Sequence, residues 1–219
     1  MMEKRHTVRK YLDKPLDMDL IGLLNDRIER NNCVYNLTFK LITNNSDGLS
    51  SLARLMSNNS VQNYIILAGK DNSDLDKKIG YCGADLILYA QSLGLNTWWC
   101  GGMFNGKNAL KHLDNKAVRV NGVIAIGYGK TQGVPHKSKT ADQVSHYKGD
   151  APEWFTSGIK ALLLAPSALN RQPYIVNGEG NKVSLKVKNG TFSQVDLGIG
   201  KYFFELRAGK SNFEWEDTL

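Results

Sequence analysis

The sequence predicts an α+β chain built from two related halves, on three observations. The order helix, strand, strand, helix runs through the first half with extra pieces inserted, and it returns after residue 152. Each half holds a long helix in which glycines recur eleven positions apart, Gly83 with Gly94 and Gly198 with Gly209. The run VRVNGVIAIGYG at 118–129 is β-branched and nearly continuous, so it predicts a central strand covered on both faces. The expected division is 1–148 and 149–219, packed as one globular unit.

Each element has its own warrant. Asp17 is placed to cap a helix over MDLIGLLNDRIER, where Leu20, Leu23, Leu24 and Ile28 share one face. A strand NLTFKLI, a short helix near GLSSLARLMS and a strand QNYIILAG follow. KKIGYCGADLILYAQSLGL reads as a long helix, apolar nearly all round and closed by Gly94. After NTWWCGG come a short helix around GKNALKHL and the central strand. Residues 129–152 lack periodicity and are rich in polar residues, Gly and Pro, which predicts a long functional or disordered connection. Beyond it lie a helix EWFTSGIKALLLA, strands PYIVN and KVSLKVKN, and a helix QVDLGIGKYFFELRAGK.

Composition narrows the function. With 219 residues and 42% hydrophobic content the chain can bury one large core or two small ones. No apolar run approaches the roughly 20 residues that cross a bilayer, and the charged start MMEKRHTVRK lacks a signal-peptide core. A cytoplasmic protein without a membrane partner is expected. Cys33, Cys82 and Cys100 are odd in number and have no CxxC spacing, which predicts reduced thiols. A net charge of +7 admits nucleic acid or a phosphate-bearing small molecule as partner. The basic residues are dispersed and do not interleave with aromatics, so nucleic acid is not expected.

Three stretches carry candidate chemistry. In KRHTVRKYLDKPL, Arg5, Thr7 and Arg9 alternate, and an extended backbone would set two guanidinium groups and a hydroxyl on one side, suited to a phosphate; the plain alternative is an exposed basic tail. In ALLLAPSALNRQPYIV, Pro166 ends a helix and frees Ser167, Asn170, Gln172 and the intervening amides to meet a partner with both donor and acceptor edges. In NTWWCGGM, Gly101 and Gly102 allow close backbone approach to a flat ligand, or simply a turn after a buried strand. IAIGYGKTQG has the wrong glycine spacing for a dinucleotide fingerprint. His6, His112, His136 and His146 lack metal-ligand spacing and no Ser stands in a GxSxG context, so neither a metal nor a catalytic triad is expected. Any chemistry then belongs to a cofactor.

Together RHTVRKY, GYCGADLILYAQSLGLNTWWCGG, GVIAIGYG with PHKSKTADQVSHY, and APSALNRQPY with DLGIGKYFFELRA resemble the flavin-dependent nitroreductase family over most of the chain. The resemblance implies a central, mostly antiparallel sheet flanked by helices. In ordinary members the Pro-Ser-Asn-Gln element follows soon after the Arg motif, and two chains dimerise to complete each FMN site. Here the Arg motif and the Trp-Gly-Gly segment lie in the first half and the Pro-Ser-Asn-Gln element in the second. The chain therefore resembles a subgroup in which two repeats are fused, so that a monomer imitates the dimer and keeps one flavin site.

Carried over by position, the resemblance implies that Arg5, His6, Thr7 and Arg9 reach the FMN phosphate or ribityl chain, helped by Lys137 or Lys139. Pro166, Ser167, Ala168, Asn170 and Gln172 would meet the isoalloxazine edge and ribityl hydroxyls. The backbone at Cys100, Gly101 and Gly102 would approach the ring near N5. The implied activity is NAD(P)H oxidoreduction through FMN, with NADH or NADPH as donor and a nitroaromatic or quinone as small-molecule acceptor. No side chain is implied as a catalytic acid or base. The alternatives are a flavin-binding protein without turnover and a basic anion or nucleic-acid binder of the same fold.

Overall fold

The computed structural model describes residues 1–216, and packing divides them into two units. The first comprises Glu3–Leu75 and Asp85–Pro135, the second Asp76–Ala84 and the residues from His136 onward.

The first unit holds α1 (Met18–Tyr35), β1 (Lys40–Ile42), α2 (Ser51–Met56), β2 (Tyr64–Gly69), the latter part of α3 (Leu75–Ser92), β3 (Asn96–Cys100), α4 (Gly106–Lys111) and β4 (Arg119–Gly127). The four strands pair antiparallel in the order β1-β2-β4-β3. As expected from its unbroken apolar run, β4 is internal, and Val123, Ile124, Ala125 and Ile126 are buried on both faces. One face, formed by Tyr64, Ile66, Ala68, Trp98, Cys100, Val123 and Ala125, closes over Leu49, Ala53, Ala109 and Leu113. The small residues Ala53 and Ala109 allow α2 and α4 to lie close to the sheet. Both short helices carry side-chain caps, Ser50 Oγ accepting from Ala53 N–H and Asn105 Oδ1 from Asn108 N–H.

Asp17 does stand at the α1 N-cap position, yet its side chain makes no cap hydrogen bond. The Tyr128 hydroxyl donates to Asp17 Oδ2 at 2.8 Å, so a long-range contact has taken the carboxylate that local pattern assigned to the helix. The strand expected over NLTFKLI shrinks to three residues, preceded by an isolated bridge of Leu37 to Gly69. On the buried side of α1, Asn31 and a bidentate Arg27 bind the Asp85 carboxylate.

The second unit holds the first turns of α3, β5 (Ser145–Tyr147), α5 (Glu153–Leu162), β6 (Tyr174–Glu179), β7 (Lys182–Val187), α6 (Ser193–Ala208) and β8 (Glu214–Trp215). Its sheet runs β5-β6-β7-β8, antiparallel at the centre and parallel at both edges. The α+β class and the mostly antiparallel pairing stand, with the strands divided between two sheets, one in each unit. β6 alternates strictly, Tyr174, Val176 and Gly178 inward and Ile175, Asn177 and Glu179 outward, as a strand covered on one face must. Residues 129–152 are more ordered than their composition predicts: β5 and a 3-10 turn at Ala141–Gln143 lie within them. Their order comes from backbone pairing to β6 and from Thr140 N–H donating to Gln143 Oε1, neither of which leaves a periodic trace.

One helix crossing in this unit, that of α3 with α6, rests on two glycines. A Cβ at Gly198 would lie 2.0 Å from the Lys77 carbonyl oxygen, and one at Gly80 would lie 2.1 Å from that of Val195, so α3 and α6 touch through their backbones. Gly94 and Gly209, the partners of the eleven-residue spacing, instead have φ of 79° and 78° and end their helices. An aromatic cluster fills the remaining core, with Trp154 stacked on Phe213 and Phe204 against Phe155, Phe213 and Trp215.

Candidate functional site

In the first unit the N-terminal segment bridges β3 at Thr7 to Thr97 and the post-β4 loop at Tyr11 to Gly129. Thr97 O accepts Val8 N–H at 3.1 Å. The three alternating residues differ sharply in surroundings. Arg5 is only 4% exposed, Thr7 half-buried, and Arg9 exposed, its guanidinium 5.5 Å above the Trp98 ring.

Arg5 is the anomaly of the unit. Its Nε is buried and has no hydrogen-bond partner among the described residues. Burial alone pushes its guanidinium pKa down to about 10, with no carboxylate opposing the shift. That displacement corresponds to roughly 3 kcal/mol against the charged form. A guanidinium is nearly always paired when it is this deeply buried, so the position suits an anion.

The loop after β4, rejected as a dinucleotide fingerprint, has a structural task that the sequence did not disclose. Gly129 N–H donates to Asn96 Oδ1, Asn96 Nδ2 to Gln132 Oε1, and Lys130 N–H to the Lys10 carbonyl. A Cβ at Gly133, where φ is 74°, would lie 2.7 Å from His6 Cβ. Asn96 and Gln132 thus fasten this loop, Gly133 lies close against His6 and the Thr7 carbonyl, and half-buried His6 has interactions of its own within the protein.

At the end of β3, Cys100 is fully buried and burial pushes its thiol up to about 12, Arg9 opposing only in part. A thiol so deeply buried and raised is not poised to act as a nucleophile. Gly101 and Gly102 lie in a bend outside the positive-φ region, so no turn geometry demands glycine there. Crowding explains the facing Gly122, whose Cβ would stand 3.1 Å from the Cys100 carbonyl oxygen and 3.4 Å from Gly101 Cα.

In the second unit the predicted residues converge on one turn. α5 ends at Leu162, and Leu164 and Ala165 tighten into 3-10 bonds before Pro166. Ordinary continuation is denied by Pro166, so the Leu163 carbonyl loses its helical partner. Three side chains supply replacements: His136 Nε2 at 3.0 Å, Ser138 Oγ at 3.0 Å and Gln172 Nε2 at 2.8 Å. Gln172 also accepts Lys139 N–H at Oε1, its carbonyl takes Lys139 Nζ, and its own N–H reaches Ser167 Oγ. Asn170 Nδ2 donates to the Lys137 carbonyl at 2.8 Å. Lys137, Lys139, Ser167, Asn170 and Gln172 therefore form one network, in which Gln172 is 1% exposed and its carboxamide is engaged at both ends.

The backbone of this turn is unusual. Leu169, Asn170 and Gln172 have φ of 53°, 54° and 43°, and Leu169 is 83% exposed. Such values cost on the order of 1 kcal/mol or more per non-glycine residue, and they persist where surrounding bonds impose them. One imposing contact was missed from sequence: Asp196 of α6, 4% exposed, accepts Ala168 N–H at 2.9 Å. A carboxylate on the otherwise apolar face of DLGIGKYFF was the available signal.

Burial pushes the Asp196 carboxyl up to about 6, the bond from Ala168 opposing it in part. Since the folded pKa exceeds the unfolded value of about 4, folding takes up a proton between them, and this stabilisation is present below pH 4 and lost as pH rises through 6. Asp196→Asn, which keeps an acceptor for Ala168, is expected to raise the melting temperature at pH 7.5 by an amount equivalent to about 1–3 kcal/mol and to leave it nearly unchanged at pH 4. Thermal scans at the two pH values check the sign; an equal effect at both would contradict it.

Among the described residues no helix is long and apolar enough to cross a membrane, and no cluster of three or more metal-ligating side chains occurs. Comparison with known proteins gives the lineage. In structure the chain resembles a "putative nitroreductase" of Thermotoga maritima MSB8, at TM-score 0.67 and 20% identity over 94% of this chain and 80% of that one. A "putative nitroreductase" of Desulfovibrio desulfuricans in complex with FMN matches at TM-score 0.52 and 16% identity, over 69% and 94% respectively. A "putative NADH dehydrogenase/NAD(P)H nitroreductase" of Parabacteroides distasonis matches at 0.50 and 19%, over 66% and 96%. No curated protein matches. The family described as "Putative TM nitroreductase" matches residues 1–208, and to that nitroreductase family this chain belongs.

Proposed function

We propose that the chain is an FMN-dependent NAD(P)H oxidoreductase of the nitroreductase type. In this reading two related halves, 1–148 and 149–219, do as a monomer in the cytoplasm what two subunits do in ordinary members. The observation that carries it is Arg5, a buried guanidinium whose Nε lacks a hydrogen-bond partner among the described residues, in a chain of this family whose Desulfovibrio relative is a "putative nitroreductase" in complex with FMN.

The residues present fit that cofactor. Arg5 would bind the phosphate, where a charge-assisted bond offsets the cost of its burial. His6, Thr7 and Arg9, with Lys137 or Lys139, would serve the phosphate and ribityl chain. Pro166, Ser167, Ala168 and Asn170 would present the ring-edge and ribityl contacts, while Gln172 holds their turn in shape. The Cys100, Gly101 and Gly102 backbone would lie against the ring, its thiol inert. Bound FMN would supply the redox chemistry, exchange at N5 between NADH or NADPH and an electron-poor acceptor such as a nitroaromatic or quinone. No side chain has to give or take a proton, and the protein contributes position and electrostatics.

Titration with FMN and with riboflavin, followed by flavin fluorescence, tests the phosphate assignment. FMN is expected to bind at least tenfold more tightly, as one strong charge-assisted bond of about 1.5–3 kcal/mol requires. Equal affinities would remove the role given to Arg5.

A further inference from the structure

The turn from Pro166 to Gln172 is fastened at its two ends by different chemistry. Its later part is held by uncharged acceptors: the Lys137 carbonyl takes Asn170 Nδ2, Ser167 Oγ takes Gln172 N–H, and the Leu163 carbonyl takes Gln172 Nε2. Its beginning is held by one carboxylate from another element. Asp196 of α6 accepts Ala168 N–H at Oδ1, at 2.9 Å and 28 positions away in sequence. Leu169, which follows, has φ of 53° and is 83% exposed, so packing of its own side chain does little to keep it in the left-handed region. The Asp196 bond is the hold on this part of the turn.

The surroundings of Asp196 leave its charge unmatched. It is 4% exposed, and no cation is paired with it among the described residues. From β6 the Tyr174 hydroxyl faces it and stays protonated, its ionisation opposed first by burial and then by Asp196. The buried residues of α5 carry no charge. α3 meets the neighbouring Gly198 through the backbone of Lys77, and Lys201, further along α6, sets its ammonium over the Trp215 ring. His136 and Lys139 bond the far end of the turn through Leu163 and Gln172. Burial accordingly raises the Asp196 carboxyl to about 6, with only the bond from Ala168 opposing.

We infer that Asp196 is a positioning residue for the flavin site, its ionised form setting the turn in the shape that receives the ring edge, so that the chain binds FMN more tightly when Asp196 is charged. A carboxylate accepts an N–H more strongly than a carboxylic acid or a carboxamide does. The same ionisation opposes folding, because the charge is buried. Stability therefore falls and FMN affinity rises as pH passes upward through 6, whereas a residue serving the fold alone would move the two together. The inference rests on the flavin reading of this turn.

One readout needs no flavin. By NMR of the FMN-free full chain, the Ala168 amide proton signal should move downfield between pH 5.0 and 7.5 with a midpoint near 6, and should not titrate in Asp196→Asn. The second readout is the FMN dissociation constant of both proteins at the same two pH values. The FMN phosphate and the histidines titrate in this range in both proteins, so the variant cancels their contribution. Between pH 5.0 and 7.5 the wild type is expected to gain roughly threefold or more affinity beyond what Asp196→Asn gains. An equal or smaller gain in the wild type, or an Ala168 signal that does not titrate, overturns the positioning role and leaves FMN binding intact. A chain that binds no FMN at either pH overturns the flavin reading and this inference with it.

Discussion

Arg5→Met should weaken FMN binding by roughly 10- to 150-fold while leaving the cofactor-free protein as stable as before or more so. The two effects have one cause. In the absence of an anion the Arg5 guanidinium bears a desolvation cost with no partner at Nε, and methionine removes that cost while filling similar space. With FMN present the same guanidinium supplies a charge-assisted bond of about 1.5–3 kcal/mol, which methionine cannot make. The melting temperature without FMN should therefore hold or rise by roughly 2–6 °C, and the stabilisation that FMN confers on the wild type should largely vanish. Replacing exposed Lys70 with alanine serves as the control and should change neither quantity. A destabilised cofactor-free variant would mean that Arg5 is a structural residue whose remaining bonds outweigh its burial.

Gly198→Ala is expected to cost about 3 kcal/mol or more, seen as a fall in melting temperature of roughly 6–12 °C. The clash is with backbone on both sides, the Lys77 carbonyl oxygen at 2.0 Å and Tyr81 N at 2.7 Å, so no rotamer change relieves it. α6 would have to move away from the first turns of α3, and it also carries Asp196, the anchor of Ala168. Flavin affinity should then fall with stability. Gly22→Ala gives the contrast: in α1, with nothing within 4 Å of its Cβ, the exchange should stabilise by about 0.5–1 kcal/mol through helix propensity. Urea unfolding of the two variants beside the wild type measures both signs.

These cases show which features the sequence exposes. A continuous apolar run is a local property, so β4 and its burial on both faces could be read directly. The two long helices were legible for the same reason. β5 and β8, of three and two residues, were not, because they exist only through pairing with β6 and β7. Spacing could nominate Arg5 but could not disclose that its Nε lies buried and unmatched, since burial is a property of the packed chain. The Pro166–Gln172 turn was marked by its polar residues, yet much of that polarity serves the turn itself: Gln172 and Asn170 bind Leu163, Lys139 and Lys137, and Asp196 reaches in from α6. Polar composition after a helix signals a demand for hydrogen bonds, and only the fold decides whether protein or ligand meets it.

The most direct test of the oxidoreductase assignment is the absorbance spectrum of the FMN-loaded protein before and after anaerobic addition of NADH or NADPH, then after a nitroaromatic or quinone. The expected result is a flavin band that bleaches with at least one reductant and returns with the acceptor. A band that persists under both reductants would contradict it and leave a protein that binds flavin without turning it over.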